Sequence, residues 1–292
     1  MSLDRIRLAS LHDKVMSAEQ AAQFIQDGMT VGMSGFTRAG EAKAVPLALV
    51  KQAQANPLKI TLITGASLGN DLDKQLTEAG VLARRLPFQV DNTLRKAINK
   101  GEVMFIDQHL SETVEQMRNQ QLKKPDVAVI EAVAITEDGG IVPTTSVGNS
   151  ASFAIFAEKV IVEINTNLSP AFEGLHDIYI PTYRPTRQPI PLTKVDERIG
   201  TQAINIDPAK IVGIVFNSEL HDSPSTVTAP DDETQSIANH LIAFFEKEVA
   251  EDRLPKNLGP LQAGIGSIAN AVLTGLKDSN FEDLIMYSEV LQ

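Results

Sequence analysis

Two features near the end of the chain have residue types and a spacing that could do chemistry. The first is Gly264-Ile265-Gly266, which predicts a tight turn entering a helix over residues 267–276. The first amides of a helix have no partner within it, so they can bind an anion above the turn. The second is Glu289, which interrupts an apolar run at 284–291 that predicts a buried strand. Because an unpaired carboxylate is costly to bury, Glu289 is a candidate for a chemical task.

The same residues also match a weaker pattern, that of a dinucleotide-binding site. Gly264-x-Gly266-x-x-Ala269 fits the fingerprint, and Glu289 lies at about the spacing of its ribose-binding acid. Two features count against this function. Pro260 makes the preceding residues a poor strand, and Glu289 is followed by further apolar residues instead of ending its strand. An ion-paired, purely structural Glu289 beside a plain turn is also compatible with the residues alone.

A third pattern is Gly65-Ala-Ser67-Leu-Gly69, a G-x-S-x-G match directly after a predicted strand. This spacing is typical of the nucleophile elbow of serine hydrolases. Ser67 is therefore an alternative nucleophile. The sequence does not choose a general base among the candidate histidines, which are His109, His176, His221 and His240.

Other polar motifs favour simpler roles. The glycine-rich segment 33–40 and the polar segment 144–149 predict turns, with phosphate binding as the alternative for the former. His176-Asp177 is typical of a hydrogen-bonded structural pair rather than a metal site. Arg184, Arg187 and Arg198 could bind the phosphates of a ligand or hold neighbouring loops.

Strand and helix patterns alternate along most of the chain. The connections are short, which predicts an α/β fold whose open, mostly parallel sheet carries helices on both faces. Residues 165–202 form a Pro-rich irregular segment, and residues 217–231 are the best linker candidate. The predicted strands are 29–34, 58–64, 103–106, 126–135, 159–164, 211–216 and 284–291. The predicted helices are 17–27, 46–55, 72–79, 92–99, 111–122, 232–250 and 267–276, and the sixth has Ile237, Leu241, Phe244 and Phe245 on its apolar face.

Composition restricts the class of protein. A chain of 292 residues, 43% hydrophobic, can bury one large core or two smaller ones. A net charge of -11 without a basic run argues against nucleic acid or a membrane surface as a partner. The lack of cysteine excludes disulfides, thiolate nucleophiles and cysteine metal sites. No apolar run reaches the roughly 18 residues of a membrane span, and we expect a cytoplasmic protein, with a processed organellar form as the alternative.

Three long motifs carry a resemblance to a known family. They are residues 261–273, Leu-Gln-Ala-Gly-Ile-Gly-Ser-Ile-Ala-Asn-Ala-Val-Leu, the ending Met-Tyr-Ser-Glu-Val-Leu-Gln at 286–292, and Pro-Leu-Thr-Lys-Val-Asp-Glu-Arg-Ile-Gly-Thr at 191–201. Together they resemble the acetyl-CoA hydrolase / succinyl-CoA:acetate CoA-transferase family, and the resemblance runs over nearly the whole chain. It implies transfer of CoA between an acyl-CoA and a short carboxylic acid, or hydrolysis of the acyl-CoA.

The resemblance also implies roles for individual residues. Glu289 matches the nucleophile, the amide of Ile265 helps form an oxyanion hole, and Ser67 lines the acyl pocket. The turn that binds CoA comprises Gln262, Ala263, Gly264 and Gly266. Coenzyme A is then a co-substrate with no further cofactor and no metal, and a homodimer is implied.

The domain organisation that the resemblance implies is that of the N-terminal portion of a longer enzyme. Residues 1–221 correspond to a first CoA-transferase-like domain, and residues 222–292 to the beginning of a second α/β domain. Besides a serine hydrolase, a non-catalytic fragment that binds CoA is the other alternative.

Overall fold

The computed structural model describes residues 3–194, 196–222 and 229–288. The chain divides into two compact units, Met1–Ser223 and Pro224–Gln292. In the described part of the chain, no helix is both long and apolar enough to cross a bilayer.

Unit 1 is built from alternating strands and helices. Its strands are β1 (Thr30–Met33), β2 (Ile60–Thr64), β3 (Leu82–Leu86), β4 (Met104–Phe105), β5 (Val127–Ile135), β6 (Ile141–Pro143), β7 (Lys159–Asn165) and β8 (Ile211–Asn217). Its helices are α1 (Ala18–Ala22), α2 (Ala44–Ala55), α3 (Leu72–Glu78), α4 (Asn92–Asn99), α5 (Leu110–Arg118) and α6 (Ser150–Phe156). A capping box begins α1, since Ser17 and Gln20 exchange side-chain and backbone hydrogen bonds.

These strands form one sheet in the order β4-β3-β2-β1-β5-β7-β8, with β6 paired to β5. All the pairs along that order are parallel, and only the β5–β6 pair is antiparallel. The long strand β5 extends beyond the end of β1, because Met33 is aligned with Val129. Its last residues therefore stand above the carboxyl end of β1, where α/β sheets commonly bind ligands.

Side chains that alternate along the strands separate two apolar layers. Val127 and Val129 of β5 pack with α1–α4 on one face, whereas Ala128 and Ile130 pack with α5 and α6 on the other. Helices thus cover both faces of the sheet. The predicted α/β class and the mostly parallel sheet are confirmed.

Unit 2 contains α7 (Asp232–Ala250), β9 (Pro260–Leu261), α8 (Ser267–Lys277) and β10 (Ile285–Met286). The two strands pair in parallel. Helix α8 packs on α7, and a Cβ added at Gly275 would lie 3.4 Å from Ile242, an ordinary contact distance. Ala238 of α7 and Ala271 of α8 are buried, whereas Ile237 and Phe244, predicted to lie on the apolar face of α7, are exposed.

Several predictions of secondary structure were wrong or incomplete. Strands β3 and β6 and helix α6 were not predicted from the sequence. The two-residue strand β9 exists despite Pro260, whose missing N–H is tolerated at the first position of a strand. Within the described residues, the strand predicted at 284–291 is limited to β10, and residues 289–292 lie outside them.

Candidate active site

The glycine turn of unit 2 has the predicted form. It leads directly into α8, and Gly266 is the residue before the first turn of that helix. Gly266 has φ +118° and ψ 175°, a backbone conformation essentially restricted to glycine. Ile265 is 57% exposed, and a Cβ added at Gly264 or Gly266 would meet no described atom within 4 Å. The turn is therefore open to a ligand on its outer side.

The strand that leads to Glu289 runs beside the segment that leads into this turn. Tyr287 donates its N–H to the carbonyl of Leu261 at 2.8 Å. Ser288 Oγ donates to the carbonyl of Ala263 at 2.8 Å and accepts the Ala263 N–H at 3.3 Å. Glu289 itself lies outside the described residues. The structure thus brings the residue before Glu289 to the turn residue Ala263.

Ser67 lies in unit 1, in the loop after β2, and is 5% exposed. We call residues 34–41, 65–70 and 144–149 the edge loops. They are in contact: Arg38 N–H donates to the Ser67 carbonyl at 3.2 Å, and Ser146 Oγ donates to the Ala39 carbonyl at 2.8 Å. Among the described residues, no histidine hydrogen-bonds Ser67, so the expected base of a serine hydrolase is not in place.

Beneath the edge loops lies a buried ionic network centred on Lys43, which the sequence analysis did not single out. Lys43 precedes α2 and its side chain has no solvent exposure. The ammonium Nζ lies 2.6 Å from Glu131 Oε1 and 2.7 Å from Asp222 Oδ1, and it donates to the Glu41 carbonyl at 2.7 Å. Burial lowers the pKa of Lys43, but the two carboxylates outweigh it and the net pKa is raised. The network therefore favours the charged form of Lys43.

Glu131 is a buried carboxylate partner of Lys43. It accepts hydrogen bonds from Asn165 Nδ2 at 3.0 Å and from Thr144 Oγ1 at 2.6 Å. Burial raises the pKa of Glu131 to about 7, although Lys43 and Thr144 favour its charged form. The network thus contains a carboxyl group that titrates near neutrality.

Glu163 is aligned with Glu131 on the neighbouring strand β7 and has a different environment. Its carboxylate accepts the N–H groups of Lys43, Ala44 and Val45 at 2.8, 2.9 and 3.0 Å. These are unsatisfied donors at the start of α2, so Glu163 caps that helix from the sheet. Burial raises its pKa, and the three amides oppose the shift.

Asp222 and Glu41 complete the network at its outer side. Asp222 accepts Thr145 Oγ1 at 3.0 Å and the Gly40 N–H at 3.4 Å, and its side chain is 24% exposed. Glu41 is buried, and its Oε1 accepts Asn70 Nδ2 at 2.9 Å. Burial raises the pKa of Glu41. One signal could have revealed this network: Glu131 and Glu163 each interrupt an apolar run of the sequence, as Glu289 does.

The remaining candidates have structural contacts. His176 hydrogen-bonds the Thr144 carbonyl at 2.9 Å, and Asp177 accepts the Gly200 N–H at 2.6 Å. Arg198 donates to the His176 carbonyl at 2.9 Å, and Arg187 pairs with Glu115 at 2.8 Å. These arginines hold the irregular segment in place. No group of three or more His, Asp or Glu side chains that could hold a metal occurs among the described residues.

Comparison with known sequences supports the resemblance. A model of the acetyl-CoA hydrolase/transferase N-terminal domain matches residues 2–216. A succinyl-CoA:acetate CoA-transferase of Clostridium kluyveri is 45% identical over 291 residues, covering 99% of this chain and 54% of that protein. An acetyl-CoA hydrolase of Saccharomyces cerevisiae is 42% identical over 299 residues, covering 99% of this chain and 56% of that protein. The chain spans about half the length of the curated relatives it matches.

Solved structures show the same fold. RipA from Yersinia pestis superposes with a TM-score of 0.68 at 19% identity, covering 100% of this chain and 58% of that chain. A 4-hydroxybutyrate CoA-transferase from Porphyromonas gingivalis superposes with a TM-score of 0.56 at 16% identity, covering 97% and 55%.

Proposed function

Because the chain belongs to the acetyl-CoA hydrolase/transferase family, we propose that it carries the nucleophile and the CoA-binding turn of an enzyme that transfers CoA from an acyl-CoA to a short carboxylic acid, or hydrolyses the acyl-CoA. Glu289 is the proposed nucleophile. The observation that carries this assignment is the pair of hydrogen bonds between Ser288 and Ala263, which joins the residue before Glu289 to the turn.

The chemistry needs a carboxylate and a set of amides. Attack of the Glu289 carboxylate on the thioester carbonyl breaks the C–S bond and yields an acyl-glutamyl anhydride and the CoA thiolate. The thiolate then attacks the glutamyl carbonyl of the anhydride, which releases the acyl group as a carboxylate and leaves a glutamyl-CoA thioester. An acceptor carboxylate reverses these steps and departs as the new acyl-CoA. If water takes the acyl group, the net reaction is hydrolysis.

The turn supplies the electrostatic part of the proposal. Each tetrahedral intermediate carries charge on an oxygen, and the amide of Ile265 is the proposed donor to it. Loss of one such donor typically raises a barrier by about 3 to 4 kcal/mol. Gln262, Ala263, Gly264 and Gly266 are the proposed contacts to CoA, and Ser67 is proposed to line the acyl pocket.

Trapping tests the covalent step. The chain is incubated with acetyl-CoA or succinyl-CoA, treated with borohydride and digested, and the peptide containing Glu289 is analysed by mass spectrometry. A glutamyl thioester is reduced to an alcohol, so we expect a reduced residue at Glu289 that depends on the acyl-CoA. Glu289→Gln is the matched control and gives no product. Reduction at another carboxylate, with Glu289 unchanged, would contradict the assignment.

We infer that coenzyme A is the co-substrate, without a separate cofactor, and that the active protein is a cytoplasmic homodimer. Sedimentation equilibrium measures the association state directly. A serine hydrolase is not favoured by any contact between Ser67 and the other described residues, and labelling of Ser67 by a fluorophosphonate would support that alternative.

A further inference from the structure

We propose that Lys43 is a positioning residue: by binding Asp222 it holds the edge loops in the geometry that the acyl pocket around Ser67 requires. This inference rests on the proposed function for its catalytic consequence, whereas its structural part can be measured without any activity. Lys43 does not touch the reacting atoms in this proposal. It acts through Asp222.

Asp222 is the point at which separate segments of unit 1 meet. Its carboxylate accepts from Gly40 in one edge loop and from Thr145 in another, and it pairs with Lys43 at the start of α2. Asp222 itself follows β8. Three segments that are distant in sequence, residues 40–43, Thr145 and Asp222 itself, thus meet at one carboxylate.

The ammonium of Lys43 in turn is fixed from below. Glu131 on β5 lies 2.6 Å from Nζ, and Glu131 is held by Thr144 and Asn165. The Lys43 side chain is buried and bound on two sides, so it is restricted to one conformation. Replacing a buried ion pair by apolar residues often leaves stability unchanged, so the pair by itself is weak evidence for a stabilising role. We therefore assign the Lys43–Asp222 pair the role of fixing the positions of the edge loops.

The edge loops connect the Lys43–Asp222 pair to the proposed acyl pocket. The Arg38 N–H donates to the carbonyl of Ser67, and Gly40 is so close to Ser146 that a Cβ there would lie 3.0 Å from the Ser146 nitrogen. Gly65 approaches the first loop just as closely, since its Cβ would lie 2.5 Å from the carbonyl oxygen of Gly35. With backbones packed at this distance, a shift of Gly40 is transmitted to the loop of Ser67.

The first test is Asp222→Ala. This variant removes the link to Gly40 and Thr145 but leaves the buried Lys43–Glu131 pair intact, so the fold is retained. By hydrogen–deuterium exchange we expect the amides of residues 36–41 and 144–147 to exchange about tenfold faster or more, with helix α4 unchanged. In the acyl-CoA assay we expect kcat/KM to fall by about 10- to 100-fold, the scale of a small misplacement of a reacting group.

The second test separates positioning from stability. Lys43→Met leaves Glu131 as an unpaired buried carboxyl, and the double variant Lys43→Met/Glu131→Gln removes that charge. We expect the double variant to regain most of the stability lost in the single variant. Its loops should still exchange as fast as those of Asp222→Ala, because Asp222 has lost its ammonium. Lys51→Met, on the exposed side of the same helix, is the matched control and leaves exchange and kinetics unchanged.

Three outcomes would overturn the proposal. They are wild-type exchange of the edge loops in Asp222→Ala, wild-type exchange in the double variant, or loosened loops with an unchanged kcat/KM in an active enzyme. If the wild-type chain shows no acyl-CoA activity, the proposed function fails on that result. The exchange data then decide separately whether Lys43 positions the loops.

Discussion

Glu131 and Glu163 stand side by side on two buried parallel strands, and each is stabilised in a different way. Glu163 accepts three backbone amides at the start of α2, whereas Glu131 shares the ammonium of Lys43 with Asp222. The positive end of a helix and a lysine side chain thus neutralise neighbouring carboxylates. Because the donors are of different kinds, the two glutamates should respond differently to pH and to substitution.

Glu131 predicts a dependence of stability on pH. Its pKa is about 7 in the folded protein and 4.5 in the reference state. Between these values the folded state keeps a proton that the unfolded state releases, so the contribution of Glu131 is fully present below pH 4.5 and declines as pH rises to about 7. Relative to Glu131→Gln, the wild type should lose as much as about 3 kcal/mol of unfolding free energy over this window.

Urea unfolding at about pH 5 and about pH 8 measures this difference. The comparison is between the wild type and Glu131→Gln at each pH, so that other titrating groups cancel. Glu137→Gln, an exposed glutamate that pairs with Arg7, is the control and should show the pH dependence of the wild type. A wild type and a Glu131→Gln variant with parallel pH profiles would show that Glu131 does not titrate in this range.

Glu163 predicts a large cost for losing a buried helix cap. Glu163→Ala leaves three amides at the start of α2 without an acceptor in a buried site, and we expect a loss of about 3 to 5 kcal/mol in unfolding free energy. Ser17→Ala removes the exposed cap of α1 and should cost only about 1 kcal/mol. Urea denaturation of both variants tests the contrast, and equal losses would mean that water replaces Glu163.

Among the secondary-structure elements, strand β3 contains a buried charge that its sequence pattern does not indicate. Its sequence is Leu-Ala-Arg-Arg-Leu, and Arg85 is fully buried in it. The charge is neutralised by Asp73 of α3, whose carboxylate accepts from Arg85 Nε at 2.8 Å. Two adjacent arginines predict a solvated segment, and only the partner 12 residues earlier makes the strand possible.

Removing one partner of the Arg85–Asp73 pair should lower the free energy of unfolding far more than removing both. Arg85→Met leaves Asp73 buried without its cation, and we expect a loss of about 3 to 5 kcal/mol in unfolding free energy. Arg85→Met/Asp73→Leu removes both charges and should recover at least half of that loss. Denaturant midpoints of the two variants measure the difference. If the double variant is no more stable than the single variant, the hydrogen bonds that Arg85 donates to the carbonyls of Leu86 and Ala66 contribute more to stability than its pair with Asp73.

The elements that the sequence did predict share strong local signals. Helix α7 has the predicted bounds 232–250, because Asp231 caps it and the apolar pattern continues for nineteen residues. Strand β5 and the interior of β7, residues 160–164, are apolar runs that contain one glutamate each. By contrast, β6 and α6 are short, and α6 is fixed by the packing of Phe153 on Gly32, a contact that no local pattern indicates.

The site was predictable only in part for a similar reason. The glycine turn and its helix are local, so spacing alone located them. Lys43 and Glu131 are 88 residues apart, and nothing near either residue indicates the other. A lone carboxylate in a buried strand is the available signal, and it gives the residue but not its partner.

For the molecule as a whole, the two large apolar clusters and a small third one lie within residues 6–216. In the described part of unit 2, the buried apolar residues are few, namely Ala238, Leu258, Ala271 and Leu276. Unit 1 therefore has the core of an autonomous domain, whereas the described residues of unit 2 bury too little apolar surface to be stable alone. This supports the proposed division of the chain near residue 221.

The division predicts that a chain ending at residue 223 folds cooperatively, whereas the isolated segment 224–292 does not. A second truncation, ending at residue 217, keeps every cluster and all the strands of unit 1 but removes Asp222, which leaves Lys43 with Glu131 alone. We expect the free energy of unfolding of this shorter chain to be lower by about 1 to 3 kcal/mol, because an ion pair to a buried ammonium is lost. The shorter chain should therefore unfold at a lower urea concentration. Asp222→Ala in the chain ending at 223 should give the same loss. A chain ending at 223 that unfolds without a cooperative transition would show that unit 1 depends on the residues that follow it.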